Sequence, residues 1–450
     1  MKKVITYGTY DLLHQGHVNL LKRAKDLGDY LIVGVTNDNF DRERGKLNVR
    51  NNVLERVEAV KATGLADQVV IEDYVGQKID DIQKYEVDIF ANGSDWEGKF
   101  DYLKEFCEVV YLPRTEGISS TMLRAESERR VKVGISGCGR IAARFLSESD
   151  HVDAADVVAV YDVDPSQTEK LAANKQGVDC FDSYEALVDA VDAVYIATPH
   201  LSHYLQAKYA LEKGKHVLCE TPLVLESAQA EELYGLAEAN GLVLLEANKT
   251  AFCPAFNHLI NLVKSGMIGD VVGIDASESK LWDKERLARE LDPEMAGGSM
   301  YEMGSYPLLP IIKLLGTDYQ NINIYSRLND DRVDVYTRGI MRYSRAVSSF
   351  QLGLGVKTEG NLVISGTKGY AYVPSPWWKT DYFELRYEDQ NLNKKYFYTW
   401  SEAGLRYELQ EFISCIVNER TRSSKLTPKE SICMARIMEQ FTQQKNFFEI

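Results

Sequence analysis

Apolar and polar positions along the chain form two successive copies of one arrangement. Val4-Ile5-Thr6-Tyr7 is an apolar and β-branched run closed by Gly8-Thr9, and a helical stretch follows from His17 to about Gly28. The apolar run 30–36 comes next. Further along, Val131–Ser136 is closed by Gly137-Cys138-Gly139, and the pattern predicts a helix from about Arg140. A buried strand feeding a helix through glycine is how an open α/β sheet begins. Apolar runs at 88–91 and 109–112 fill out the first sheet. Runs at 157–161, 193–197, 216–219 and 243–246 give the second sheet its successive strands.

After about residue 270 the pattern changes. The segments 322–326, 338–343, 347–352, 361–365 and 382–387 alternate or are β-branched, with few helical stretches between them. That predicts an open, mostly antiparallel sheet. Helices are predicted at 402–420 and 428–444. The stretch Arg124-Ala125-Glu126-Ser127-Glu128-Arg129-Arg130 is almost wholly charged or small and reads as a linker. The expected organisation is one α/β domain over 1–124, a linker over 125–130, a dinucleotide-binding domain over 131–250 and an α+β open-sheet domain over 251–450. This last domain would carry the closing helices and serve substrate binding and homo-oligomerisation.

A length of 450 residues agrees with two or three domains. The net charge of −15 disfavours nucleic acid and anionic membrane as partners, leaving small-molecule substrates held in local basic pockets. No run reaches the ~18 apolar residues of a membrane span, so no membrane insertion is expected. Asp11 and two histidines come too early for a signal peptide. Seven scattered cysteines without a C-x-x-C pair point to reduced thiols in a cytoplasmic protein, rather than a disulfide frame or a zinc site.

The first candidate chemistry is His14-Gln15-Gly16-His17, after a strand and at a helix start. Two imidazoles and backbone N–H groups at a positive helix end suit a triphosphate. Phosphoryl chemistry needs positioning and charge neutralisation, and histidines supply both. Gly16 would allow close backbone approach. Alone, this four-letter match is equally compatible with two surface histidines at a helix cap. Its surroundings favour the site. Gly8-Thr9-Tyr10-Asp11 precedes it at the spacing of a strand-end phosphate turn. Arg114-Thr115-Glu116-Gly117-Ile118-Ser119-Ser120-Thr121 adds a cation, three hydroxyls and another helix start.

With Tyr7–His17, Asp95-Trp96-Glu97-Gly98-Lys99-Phe100-Asp101 and Tyr111–Thr121, residues 1–124 resemble the bacterial glycerol-3-phosphate cytidylyltransferases. The resemblance implies a Rossmann-like nucleotidyltransferase that moves CMP from CTP to a polyol phosphate, releasing pyrophosphate, with Mg2+ assisting. It implies that His14 and His17 stabilise the transferring phosphate. Arg114 and Ser119, Ser120 and Thr121 would hold the triphosphate, and Lys46 on a loop would neutralise developing charge. Gly8, Thr9, Tyr10, Asp11, Gly16, Asp95, Thr115, Gly117 and Ile118 would complete the nucleotide site. Tyr10 replaces a phenylalanine and Ser94 stands where the family often has aspartate. The segment 48–54 differs most, which leaves the acceptor open.

The second candidate chemistry is Gly137-Cys138-Gly139-Arg140-Ile141-Ala142, a G-x-G-x-x-A after a buried strand. The glycines permit the turn and the approach of a pyrophosphate, and Ala142 permits close helix–strand packing. Asp162, about 20 residues on, could take ribose hydroxyls and would repel a 2′-phosphate, or it could cap a turn with Asp164 and Pro165. With Ala197-Thr198-Pro199-His200-Leu201-Ser202-His203, then His216–Pro222, then Gly297–Pro307, residues 131–450 resemble the glucose–fructose oxidoreductase/inositol dehydrogenase family. The resemblance implies NAD(H) or NADP(H) bound by Gly137, Gly139, Arg140, Ile141, Asp162, Thr198, Pro199, His203 and Glu220. It also implies Tyr306 as proton donor or acceptor. The family's E-K-P lysine is replaced by Thr221, and its aspartate by Glu302. Lys249, after the next strand, is the candidate substitute.

The two resemblances together predict bifunctional CDP-polyol synthesis. A sugar or ketose phosphate would be reduced by the second domain. The polyol phosphate, glycerol phosphate or a longer alditol phosphate, would be activated with CTP by the first, for polymers such as teichoic acid or capsule. The alternative is a cytidylyltransferase alone, beside a redox-inactive cofactor-binding or scaffolding region. ATP in place of CTP is the third reading.

Overall fold

Two units, Met1–Arg129 and Arg130–Ile450, carry separate apolar cores. The computed structural model describes residues 1–37, 49, 53–72, 76–113, 130–152, 154–281, 289–398, 400 and 402–450.

The first unit runs β1 (Lys3–Gly8), α1 (Gln15–Lys25), β2 (Tyr30–Thr36), α2 (Val53–Ala62), β3 (Gln68–Glu72), α3 (Gln77–Tyr85), β4 (Ile89–Gly93) and β5 (Glu108–Leu112). Its five strands are parallel, in the order β3-β2-β1-β4-β5. Val4 and Ile5 have no exposure, because helices cover both faces of β1. Strand order reverses between β1 and β4, so a crevice opens at their carboxyl ends, where open α/β sheets bind ligands. α1 starts at that crevice and turns Leu21 and Ala24 into the core. Lys22, Arg23 and Lys25 fall in its last turn, where the helix dipole favours cations.

The second unit begins with β6 (Val131–Ser136), α4 (Arg140–Ser149), β7 (Ala155–Tyr161), α5 (Pro165–Ala172), β8 (Asp179–Cys180), α6 (Tyr184–Ala190), β9 (Ala193–Ile196), α7 (His203–Glu212), β10 (His216–Glu220), α8 (Ser227–Ala239) and β11 (Leu244–Ala247). The sheet is parallel, ordered β11-β10-β9-β6-β7-β8, and its switch point lies between β9 and β6. Helices α9 (Lys249–Phe252) and α10 (Pro254–Lys264) lead to β12 (Val271–Lys280). Next come α11 (Ser299–Met303), α12 (Ser305–Leu315), β13 (Asn321–Leu328), β14 (Asp334–Arg342), β15 (Val347–Leu354), β16 (Leu362–Gly366), β17 (Tyr370–Val373), β18 (Tyr382–Arg386) and β19 (Lys394–Phe397). The chain closes with α13 (Leu405–Val417), α14 (Pro428–Thr442) and β20 (Phe447–Glu449). These later strands form a nine-stranded sheet in the order β19-β18-β17-β16-β12-β15-β14-β13-β20. Only β12–β15 and β13–β20 pair in parallel.

The fold is thus the mixed α/β architecture that the apolar pattern predicts. β12 gives no clear periodic signal, because Ser277, Glu278 and Ser279 are polar yet buried. Of the closing helices, α13 packs on α4, and α14 packs on α8 and on α12. Glu148 of α4 fastens α13. It accepts hydrogen bonds from the backbone N–H of Ala403 (2.8 Å) and Arg406 (3.0 Å), and from the Arg406 guanidinium (3.3 Å).

Candidate functional site

In the first unit, the turn after β1 is built around the two histidines. His14 is the N-cap of α1. Its Nδ1 accepts from the backbone N–H of Gly16 at 3.0 Å, while the His14 N–H points to His17 Nδ1 at 3.5 Å. The imidazoles stack with centres 3.9 Å apart. With Nδ1 accepting on both rings, a neutral imidazole carries its proton on Nε2. This cap commits the Gly16 N–H to the helix start.

The turn is strained. Tyr10 and Leu12 have φ of 53° and 46°, a region costly for side chains of this size. Tyr10 is buried and packs edge-on to His17, with ring centres 5.5 Å apart. A Cβ on Gly8 would lie 3.0 Å from the Tyr10 ring, so Gly8 serves this packing. Arg56, fully buried on α2, donates to the carbonyls of Thr9 (2.7 Å) and Thr36 (2.8 Å) and braces the ends of β1 and β2. Asp11 is buried in the turn, and Asp95 is exposed in the 3-10 turn after β4, across the switch point. Lys46, Arg114, Thr115, Gly117, Ile118, Ser119, Ser120 and Thr121 lie outside the described residues.

In the second unit, Gly137 has φ 89°, and a Cβ there would sit 2.6 Å from the Ala197 carbonyl, so only glycine fits. Gly139 caps α4, and a Cβ added there meets nothing within 4 Å. That open space at a helix N-terminus fits a dinucleotide's pyrophosphate. Asp162 braces the loop: its Oδ2 accepts from Cys138 N–H at 2.7 Å and its Oδ1 from Asp164 N–H at 3.0 Å. Asp164, rather than Asp162, caps α5.

Arg140 and Pro199 are exposed, and Ile141 and Thr198 half-buried, around the same crevice. His203 is fully buried beside Thr198, with Nδ1 2.9 Å from the Pro222 carbonyl and Nε2 2.9 Å from the Thr198 carbonyl. Burial pushes it down to about 4, so the ring is neutral and donates to one of the two. Glu302 pairs with Arg289 at 3.0 Å, and its other oxygen faces His200 at 3.7 Å. Burial lowers His200 to about 4, so that contact carries no charge pair at neutral pH.

Glu220 ends β10 and accepts from the Tyr195 hydroxyl. Thr221 follows it directly, at the cis peptide bond to Pro222. Burial, followed by the charges of Glu220, Glu278 and Glu408, holds the Tyr306 phenol well above its ordinary value, so it stays protonated. Lys249 reaches the same place from β11, with its Nζ 5.9 Å from the centre of the Tyr306 ring. Burial lowers its ammonium, while Glu220 and Glu408 raise it. Glu278 and Glu408 were not anticipated from the sequence. Burial pushes Glu278 up to about 7.

Residues 5–126 match the cytidylyltransferase-like family. Residues 131–248 match the oxidoreductase family with an NAD-binding Rossmann fold, and 256–372 match the GFO/IDH/MocA C-terminal domain. The glycerol-3-phosphate cytidylyltransferase of Bacillus spizizenii is 52% identical over 126 residues, covering 28% of this chain and 97% of that protein. The first unit belongs to the cytidylyltransferase family and the second to the GFO/IDH/MocA oxidoreductases. The scyllo-inositol 2-dehydrogenase (NADP(+)) of Bacillus subtilis is 28% identical over 320 residues, covering 70% of this chain and 97% of that protein. A 3-ketoreductase from Actinomadura kijaniata, solved with NADP and TDP-benzene, shares the fold at TM-score 0.64 and 21% identity. That match covers 71% of this chain and 99% of the other. The protein is therefore an enzyme, a nucleotidyltransferase joined to an oxidoreductase of the NAD(P)-dependent kind. Among the described residues, no helix of this cytidylyltransferase–oxidoreductase is long and apolar enough to cross a membrane.

Proposed function

We propose that the first unit transfers CMP from CTP to a polyol phosphate and releases pyrophosphate. The second unit would form that polyol phosphate by NAD(P)H-dependent reduction of a sugar or ketose phosphate. The stacked His14–His17 pair at the switch point carries the first half of this reading. Two Nε2 donors placed side by side would meet the charge that grows on the transferring phosphate. Lys46, Arg114 and the hydroxyls of 119–121 would hold the rest of the triphosphate. Mg2+ would be held by the nucleotide beside Asp11, which is buried in the turn after β1. CDP-glycerol or a longer CDP-alditol would be the product, an activated unit for teichoic acid or capsule-type polymers. A cytoplasmic homo-oligomer, with domains divided at 124–131 and near 250, suits this reading.

In the second unit, the bound nicotinamide would supply a hydride. Tyr306 would give its proton to the carbonyl oxygen, with Lys249 beside it. The juxtaposition of Lys249 and Tyr306 favours turnover over a redox-inactive scaffold, which rests on Thr221 alone. A pyrophosphate-release screen of polyol phosphates with CTP, with and without NADH, tests the first half. Release with ATP but not CTP would overturn the nucleotide assignment. NADH oxidation with dihydroxyacetone phosphate and pentulose phosphates tests the second half. NADH binding without oxidation across that panel would leave a transferase alone.

A further inference from the structure

The helical run that carries Tyr306 has no cap of its own. α11 begins after Gly298, which has no side chain to receive the first free N–H groups of the helix. The acceptor comes from another element. Asp334, the first residue of β14, is buried. Its Oδ2 accepts from the backbone N–H of Met300 at 2.9 Å, the Ser299 hydroxyl at 2.5 Å and the Thr337 hydroxyl at 2.7 Å. Gly298 has φ 128°, and a Cβ there would lie 2.0 Å from Asp334 Oδ1, so glycine at the helix start is what admits the carboxylate. The Gly298 N–H donates to the Glu290 carbonyl at 2.8 Å, which closes the turn that brings Arg289 onto Glu302.

The run is weakly bonded where Tyr306 sits. Gly304 is helical, with φ −59° and ψ −31°, so α11 continues into α12 and Glu302 lies one turn before Tyr306. Pro307 and Pro310 have no N–H. The carbonyls of Met303 and Tyr306 therefore lose the hydrogen bonds that residues four positions on would donate. Support comes instead from outside the helix. Asp334 holds its start, and the Ser305 carbonyl accepts from the Asn248 side chain at 3.2 Å. α11 packs on β14 and β15, so the carboxylate ties this start to the nine-stranded sheet. We propose that Asp334 is a positioning residue for the reductase: by capping α11 from β14, it fixes where Glu302 and Tyr306 stand against the cofactor crevice. This rests on the oxidoreductase reading of the second unit, in which Tyr306 gives its proton to the carbonyl oxygen. Asp334 acts only through the helix and moves no proton itself.

Hydrogen–deuterium exchange in the full-length protein reads the cap without a substrate. In Asp334→Ala the peptide spanning 299–309 should exchange about ten-fold faster, while peptides from β6, β9 and β10 keep the parent rate. Asp334→Asn retains an acceptor oxygen and should keep the parent rate throughout. Unchanged exchange at 299–309 in Asp334→Ala would overturn the proposal. Faster exchange across the whole second unit would overturn it too, because Asp334 would then support the unit at large. If that variant does not fold, Ser299→Ala decides. It removes one donor from the same carboxylate, and exchange at 299–309 should rise about three-fold; no rise there counts against the cap. NADH oxidation with dihydroxyacetone phosphate adds a readout that a merely structural role would not move. Asp334→Ala should lower kcat about ten-fold with NADH affinity unchanged. In a Tyr306→Phe background the same substitution should cost nothing further, because residues acting through one group are not additive. Equal losses in the two backgrounds would overturn the proposal. A parent enzyme that oxidises no NADH is a separate result: it counts against the oxidoreductase reading, and the exchange experiment still decides whether Asp334 fixes the helix.

Discussion

His17 is fixed by a ring stack with His14, an edge contact with Tyr10 and a backbone N–H on its Nδ1. Replacing it with alanine removes one phosphate donor and leaves β1 and α1 otherwise intact. Pyrophosphate release should fall about a hundred-fold to ten-thousand-fold, while NADH binding is unchanged. Near-normal release would remove His17 from the mechanism. Glu246 offers a test of a different kind. It is buried on β11, one oxygen accepts from Leu223 N–H, the other has no partner, and burial pushes it up to about 7. A folded value above the unfolded 4.5 means that the native state binds the extra proton between those pH values. Its contribution to stability is therefore complete below pH 4.5 and is lost as pH rises through 7, about 3 kcal/mol in all. Glu246→Gln should escape that loss, so its urea midpoint should gain on the parent's between pH 5 and pH 8. A constant difference between the two proteins would contradict the assignment.

At the scale of elements, Glu148 is what fastens α13 to α4. Glu148→Ala should destabilise the second unit by about 3–5 kcal/mol, because it leaves the Arg406 guanidinium and two buried N–H groups without that partner. Glu148→Gln, which retains an acceptor oxygen, should cost less. Equal urea midpoints for all three proteins would show that the contact carries no weight. The same elements show what was legible in the sequence. Strands feeding helices through Gly8 and Gly137 were plain, because a short apolar run ended by glycine and followed by a helical period seldom folds as anything but a strand and its turn. Arg56 and Glu408 were missed although each leaves a mark. Arg56 shares an apolar helical stripe with Val57 and Val60, and Glu408 lies between Leu405, Leu409 and Phe412. An ionisable residue on the buried face of an amphipathic helix is costly, and that signal could have found both. What it meets depends on which strand end the helix crosses, and a single chain's periodicity does not carry that. β12 escaped for a related reason: its polar half is buried, with Ser277 and Ser279 accepting hydrogen bonds from the backbone of Gly360, Asn361 and Thr358.

For the whole molecule, the separation of the apolar cores has a measurable consequence. The cores of the first unit draw on residues of 4–112 and those of the second on residues of 131–447. Cooperativity in unfolding comes from shared buried contacts, so each unit should unfold as its own cooperative block. A ligand stabilises only the block that binds it, by about 2.7 kcal/mol at a concentration a hundred times its dissociation constant. Scanning calorimetry should therefore resolve two transitions, with CTP raising one and NADH the other. His17→Ala should reduce the shift caused by CTP and leave the NADH shift untouched. Glu148→Ala should lower only the transition that NADH raises. One transition moved by both ligands would mean that the two chemistries share a folding unit, and the independence expected of the His17 and Glu148 variants would fail with it.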